Sequence, residues 1–84
     1  MAPRIVPESW EKDIRARYNN SVNDHSTPKR KFDGKVYYLM YYERHKGLAE
    51  RHVEILHAIG FYARAIHEDT KFGTFRYKIY ARRE

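Results

Sequence analysis

Near its C-terminus the chain alternates apolar residues with cations and tyrosine. In the segment from Thr74 to Arg83 the apolar set is Phe75, Tyr77, Ile79 and Ala81. The positions between them carry the second set, which is Arg76, Lys78, Tyr80 and Arg82. A strand sends alternate side chains to opposite faces. The pattern therefore predicts a strand with an apolar inner face and a cationic, aromatic outer face.

Cations and tyrosine rings on one strand face are suited to two kinds of contact with nucleic acid. Guanidinium and ammonium groups attract phosphate, and a tyrosine ring offers a surface on which a base can stack. The outer set therefore favours nucleic-acid binding. Exposed strand faces also carry Lys, Arg and Tyr for solubility and β-propensity, so a merely solvated face stays open as the alternative.

A second basic segment is Thr27-Pro28-Lys29-Arg30-Lys31. Proline prevents a helix here and projects the following cations from an extended backbone. The segment resembles the short Ser/Thr-Pro-basic-basic repeats of linker-histone tails, which lie along the minor groove of DNA. The alternative is a solvated charge run that precedes a hairpin.

The residues predicted to contact nucleic acid are the cations of these two segments, one arginine from a third strand, and one tyrosine. They are Lys29, Arg30, Lys31, Arg64, Arg76, Lys78, Tyr80 and Arg82. Tyr80 is predicted to stack on a base, and one ring from residues 37–42 is a second candidate for that role.

Composition limits the other functions. The chain has 84 residues, a formal net charge of +6 and no cysteine. It has room for one small domain with a thin core, and its charge favours polyanions as partners. Disulfides, thiolate metal sites and thiol nucleophiles are excluded. No apolar run approaches the roughly 20 residues that span a bilayer, and no signal peptide opens the chain, so a cytoplasmic protein without a membrane partner is predicted.

The histidines and carboxylates do not form a recognisable catalytic or metal site. His52 and His57 lie about 140° apart on a helix and cannot clamp one metal ion. Glu50 and Glu54 are one helical turn apart but are predicted to face solvent. No nucleophile triad, phosphate-binding loop or glycine-rich fingerprint is present. The sequence therefore predicts no catalytic residue, metal, cofactor or small-molecule substrate.

The first third of the chain is predicted to lie outside the compact domain. Residues Met1 to Pro7 form a loose arm in this interpretation, and Ser9 caps a short helix. Trp10, Ile14 and Tyr18 define one face of that helix. Residues 19–28 are rich in turn formers and are predicted to be a polar loop. The domain boundaries are thus 1–28 for the arm, helix and loop, and 29–84 for the compact part.

The remaining elements predict an α+β fold. Asp33-Gly34 marks a two-residue hairpin turn between strands Lys29–Phe32 and Lys35–Glu43. A helical stripe that ends at Gly60 follows. It consists of Leu48, His52, Ile55, Leu56 and Ile59, and Ala49 and Val53 widen it. Two strands, Phe61–Glu68 and Thr74–Arg83, flank a turn over residues 69–73.

These elements form a strand-helix-strand-strand core, half of a ferredoxin-like fold, with an antiparallel hairpin arm and a short N-terminal helix. A right-handed crossover makes the two strands around the main helix parallel. The last strand is then predicted to insert between them, antiparallel to both.

The strand VYYLMYY, from Val36 to Tyr42, is apolar or aromatic on both faces. Strands of this kind are usually covered on both sides. The main helix covers one face in this interpretation. The second face has three candidate covers: the helix from Trp10 to Tyr18, a second subunit in a homodimer, or a ligand whose bases stack on the rings.

The arrangement FDGKVYYL, then a helix, then GFYARAI and YKIYARR resembles a pattern of short archaeal proteins. In these an F-D-G-K turn leads to a tyrosine strand, and the chain ends in a strand of tyrosine and basic residues. The resemblance covers Phe32 to Arg83. It implies a small β-α-β-β domain from an archaeal cytoplasm or an archaeal mobile element, and it implies no particular activity.

Two classes of function follow from the sequence. The first is a small basic protein that binds DNA or RNA through a cationic, aromatic sheet face. The alternative is a protein-interaction or homodimerisation domain that uses the same aromatic face. Salt discriminates them, because phosphate binding weakens steeply with ionic strength whereas an aromatic protein interface does not.

Overall fold

Two helices and four strands make up the described part of the chain. The structure, a computed structural model, describes residues 6–69 and 75–83, and the side chains of 6–68 and 77–83. The elements are α1 (Glu8–Asn23), β1 (Lys29–Phe32), β2 (Lys35–Glu43), α2 (Lys46–Ala58), β3 (Phe61–Asp69) and β4 (Phe75–Arg83). The mixed α+β class is confirmed. The turn predicted between the last two strands falls on residues outside the described ones, except for Asp69, which ends β3.

The turn between β1 and β2 matches the sequence prediction. Asp33 has a φ of 52° and Gly34 a φ of 79°. A two-residue hairpin whose positions both have positive φ is a type I′ turn, and its twist suits antiparallel strands. The register then pairs Phe32 with Lys35 and Lys29 with Tyr38. The hairpin arm therefore lies where the sequence predicts it.

The sheet order is β1-β2-β4-β3. β4 pairs with β2 on one side and β3 on the other, antiparallel to both. The two strands that flank α2 are consequently parallel to each other. The predicted insertion of the last strand between them is confirmed, and with it the strand-helix-strand-strand core.

Helix α2 ends as its sequence predicts. Ile59 is its C-terminal cap, and Gly60 follows with a φ of 96°, a conformation that glycine adopts without a Cβ penalty. Ala49 and Leu56 are buried against the sheet. Leu48, which the predicted stripe includes, is instead 47% exposed.

Helix α1 is longer than predicted and begins earlier. Pro7 occupies the N-cap position, so Ser9 is inside the helix rather than its cap. The helix continues through Asn23, whereas the sequence predicts a loop from residue 19. Asn and Ser cost only a few tenths of a kcal/mol each in a helix, which packing of the preceding turns overrides. Asp24 then stops the helix and accepts hydrogen bonds from the Ser26 backbone and hydroxyl.

Helix α1 lies on the same sheet face as α2. Tyr18 is buried in one cluster with Met40 of β2, Phe61 of β3 and Ile79 of β4. Its ring centroid is 4.9 Å from that of Phe61. Of the three candidate covers for the second face of β2, α1 is therefore excluded. Val6 also joins this cluster and is buried, so the predicted loose arm is wrong at that residue.

A register shift in β2 changes which of its residues face the helices, because Met40 and Tyr41 are consecutive and both lie on that side. The ladder with β4 is irregular between Leu39 and Tyr41. An extra residue in one strand of a pair redirects the side chains that follow it. Met40 is buried in the helix-covered cluster, and Tyr41 packs against the same cluster. Leu39 belongs to a second cluster on the opposite face.

The sheet itself covers part of its second face. This cluster contains Tyr37, Leu39 and Tyr80, with Phe32 and Ile66 packed against it. The two edge strands, which are not neighbours in the sheet, meet across it. Arg64 of β3 contacts Asp33 of the hairpin at 2.8 Å, and the Arg64 Cζ lies 5.0 Å from the Phe32 ring centroid. The hairpin therefore curls over the sheet, a cover that the sequence does not predict.

Candidate functional site

The face of the sheet away from both helices is called the outer face below. Directly opposed residues of an antiparallel ladder point to the same face. The register pairs Tyr62 with Arg82, Arg64 with Tyr80, Ile66 with Lys78, and Arg30 with Tyr37. Four of the predicted cations thus share the outer face with Tyr80: Arg30, Arg64, Lys78 and Arg82. They come from three strands, and only the sheet order brings them together.

Two other predicted cations, Lys29 and Lys31, do not lie on the outer face. Lys29 lies opposite Tyr38, which in turn lies opposite Ala81 of the helix-covered cluster. Lys29 and Lys31 therefore share the helix side of the edge strand β1, where both are exposed. The backbone of Arg76 lies in β4 opposite Glu68, and its side chain is outside the described ones. Alternation within β1 separates Arg30 from its two lysine neighbours.

Tyr80 is on the predicted face, but its ring is covered. The residue is 4% exposed and packs with Phe32, whose ring centroid is 5.9 Å away. A base needs a free ring face to stack on, and Tyr80 does not present one. The reason is the curl of the β1 hairpin, which places Phe32 on the ring.

Two other tyrosines have exposed rings on the outer face. Tyr42 is 54% exposed and lies opposite Lys78, and Tyr62 is 44% exposed and lies opposite Arg82. Tyr42 belongs to the aromatic run that the sequence analysis considers for stacking. Tyr62 is missed, although its alternation with Arg64 in FYAR is the same pattern that identifies the β4 residues.

Carboxylates accompany three of the four cations. Asp33 pairs with Arg64 at 2.8 Å. Glu68 accepts a hydrogen bond from Lys78 at 2.9 Å and lies 3.5 Å from Arg30. The Lys78 hydrogen bond holds the pKa of Glu68 below its ordinary value, and the same bond raises the pKa of Lys78. These pairs position the cations and partly neutralise them.

Arg82 is held differently. Its Cζ lies 4.5 Å from the ring centroid of Tyr62 and 5.8 Å from that of Tyr37. Within the described part of the chain it forms no ion pair, and its Nε is buried without a hydrogen-bond partner. Its Nη1 donates a hydrogen bond to the Arg83 carbonyl oxygen at 3.4 Å. Aromatic rings rather than a carboxylate therefore fix this guanidinium.

The helix side of the molecule contains a small apolar groove between α1 and α2. Its volume is about 210 Å³, and it is lined by residues that include Trp10, Ile14, Tyr41 and Ile55. His52 lies at the same groove with its Nε2 3.4 Å from Glu43 Oε1. Burial raises the pKa of Tyr41. Among the residues that the structure describes, no three histidine or carboxylate side chains converge as a metal site requires.

Within residues 6–69 and 75–83, neither helix is sufficiently long and apolar to cross a membrane. No protein-family model matches the chain, and neither the curated proteins nor the solved structures contain a significant match to it.

Proposed function

We propose that this chain is a small nucleic-acid-binding protein that uses the outer face of its sheet. Four cations from three strands meet there beside the exposed rings of Tyr42 and Tyr62. The observation that carries the proposal is Arg82, a cation fixed by two rings and left without a carboxylate among the described residues. An incoming phosphate gains most at a charge that is already positioned and not neutralised.

The three cations that are paired with carboxylates contribute to binding differently from Arg82. Arg64 is paired with Asp33, and Arg30 and Lys78 share Glu68. A phosphate near any of these cations therefore competes with a carboxylate. Their contribution is long-range attraction, which the net charge of +6 reinforces. Lys29 and Lys31 extend the positive charge along the helix side of the β1 edge. We propose a cytoplasmic location for the protein and no catalytic activity.

The test is a titration with single-stranded and duplex oligonucleotides at two salt concentrations. Lys78→Glu combined with Arg82→Glu should remove most of the affinity. The slope of log affinity against log salt should become shallower by about 0.7–0.9, because Arg82 is the residue of this pair that contacts a phosphate.

The matched control is Lys46→Glu combined with Arg51→Glu, which makes the same change of charge on α2. Both residues are exposed on the helix side of the molecule. Circular dichroism checks that each variant is folded. Equal loss of binding in the two double variants would show attraction to net charge without a site, and unchanged binding in the Lys78/Arg82 variant would move the site away from the outer face.

The competing proposal is homodimerisation through the same face. The exposed rings of Tyr42 and Tyr62 favour it, because aromatic residues are enriched at protein interfaces. Sedimentation at low and high salt separates the two proposals. Self-association that persists or tightens at high salt supports the dimer, whereas oligonucleotide binding that disappears at high salt supports phosphate recognition.

A further inference from the structure

Arg82 and Tyr62 form a cation and ring pair at one edge of the sheet. They lie opposite each other on β4 and β3, with the guanidinium carbon 4.5 Å from the ring centroid. β3 is an edge strand, so β4 is its only neighbour in the described sheet. Tyr62 remains 44% exposed although Arg82 contacts it. A planar group can therefore reach this ring from the open side of the sheet.

We infer that the outer face binds a single strand of nucleic acid at this pair, with a base stacked on Tyr62 and a phosphate on the guanidinium of Arg82. The inference rests on the proposed function and adds to it the strandedness of the ligand and the residues that decide it. A single nucleotide carries both groups, and the pair presents a partner for each of them side by side.

Strandedness follows from what the ring needs. In a duplex each base is stacked between its neighbours, and only phosphates and groove edges are exposed. In a single strand, a loop or a strand end, the base is free to stack on an aromatic side chain. Arg82 can contact a phosphate of either form, whereas Tyr62 contributes only to the single strand.

Tyr42, the other exposed tyrosine of the outer face, lies beside a cation that is paired with a carboxylate. Tyr42 is opposite Lys78, and Lys78 donates a hydrogen bond to Glu68 at 2.9 Å. The carboxylate repels a phosphate that approaches there. We therefore place the nucleotide at Tyr62 rather than Tyr42, although Tyr42 is the more exposed of the two.

The experiment measures binding of short oligothymidine, oligouridine and a DNA duplex of the same length to the full chain and its variants. Tyr62→Ala should weaken binding of the single strands about 5- to 150-fold, the range expected for the loss of one base stack. Duplex binding should change by less than about twofold. Tyr62→Phe keeps a stacking surface and should restore most of the single-strand affinity.

Trp10→Ala is the control for removal of an exposed ring elsewhere, because Trp10 lies on α1 and is 52% exposed. It should leave the binding of all three probes unchanged. Photocrosslinking of a bromouracil-containing strand, followed by peptide mapping, gives a second measurement. Attachment at Tyr62 is expected, and attachment at other residues with none at Tyr62 would overturn the placement of the base.

The outcomes separate this inference from the proposed function. Single-strand affinity that survives Tyr62→Ala, while Lys78→Glu with Arg82→Glu abolishes it, overturns the inference and keeps the proposed function. Equal losses of single-strand and duplex affinity in Tyr62→Ala also overturn it, because the ring would then act on the fold or on phosphate binding. If none of the probes binds even at low salt, both fail together.

Discussion

Glu68 pairs with two of the four cations on the outer face. Its carboxylate accepts a hydrogen bond from Lys78 and lies within ion-pair distance of Arg30, so it connects β3 with β4 and with the edge strand β1. Arg82 lies outside this arrangement and relies on rings. The two outward cations of β4 thus differ. An added anion meets the Glu68 carboxylate beside Lys78, whereas it meets aromatic rings beside Arg82.

The pH dependence of stability should show the role of Glu68. Its pKa is lowered in the folded protein, mainly by the hydrogen bond from Lys78. The stabilisation is present above the ordinary pKa of 4.5 and is lost as pH falls through the lower folded value. For Lys78 the pKa is raised, so its contribution is present below 10.5 and is lost as pH rises through the higher folded value.

We expect urea midpoints of the parent chain to decrease through the acid window more than those of Glu68→Gln. Glu50→Gln is the control, because Glu50 is an exposed carboxylate of α2 without an ion pair among the described residues. It should retain the acid dependence of the parent. Parallel curves for the parent and Glu68→Gln would mean that the Glu68 pair makes no net contribution.

At the scale of elements, α1 contributes to the core rather than standing apart from it. The Tyr18 ring packs on Phe61, and its hydroxyl accepts a hydrogen bond from the Arg83 backbone N–H at 3.1 Å. Arg15 donates a hydrogen bond to the Ile59 carbonyl oxygen at 2.7 Å, and Arg17 donates one to that of Met40 at 3.2 Å. The helix is therefore fixed to β2, to β4 and to the end of α2.

Two substitutions at Tyr18 separate packing from hydrogen bonding. Tyr18→Ala removes a buried ring and should cost about 3–5 kcal/mol, as for other large aromatic truncations. Tyr18→Phe removes only the hydroxyl and should cost about 0.5–1.5 kcal/mol. Chemical denaturation followed by circular dichroism measures both.

Val22→Ala provides the comparison on the same helix, because Val22 is exposed and its loss should change stability little. A Tyr18→Ala variant as stable as Val22→Ala would show that α1 does not contribute to the core in solution.

At the scale of the whole molecule, one helix-covered cluster provides most of the core. Leu56 of α2 is 1% exposed and Ile79 of β4 is 0% exposed, and both belong to this cluster. Among the described residues, the smaller outer cluster contains three buried side chains, Tyr37, Leu39 and Tyr80. A domain of this size has few alternative contacts with which to compensate for a lost core side chain.

Leu56→Ala should therefore cost about 2–5 kcal/mol, a large fraction of the roughly 5–15 kcal/mol that stabilises a typical domain. Leu48→Ala is the matched control, since Leu48 is on the same helix and about half exposed. Thermal unfolding compares the two. A Leu56→Ala melting temperature within a degree or two of the parent would contradict the central placement of Leu56.

The sequence by itself determined the hairpin turn, the end of α2 and the faces of the final strand. Asp33-Gly34 supplies the positive φ angles of the hairpin, Gly60 ends α2, and alternation along β4 separates Ile79 and Ala81 from Lys78 and Arg82. These features depend on local conformation and side-chain period, which neighbouring residues encode. The strand order also follows, because crossover handedness and a short hairpin leave few topologies.

Only the tertiary structure decided what lies on each face. Helix α1 could pack on either side of the sheet, and its apolar positions Ile14 and Tyr18 do not distinguish the two sides. Curling of the β1 hairpin buries Tyr80 and leaves Tyr62 exposed, although both tyrosines have the outward parity. Alternation along a strand fixes which face a side chain points to, but not whether other residues pack over it. The residue that packs over Tyr80 is Phe32, which is distant in sequence. Sheet twist and packing bring the two rings together.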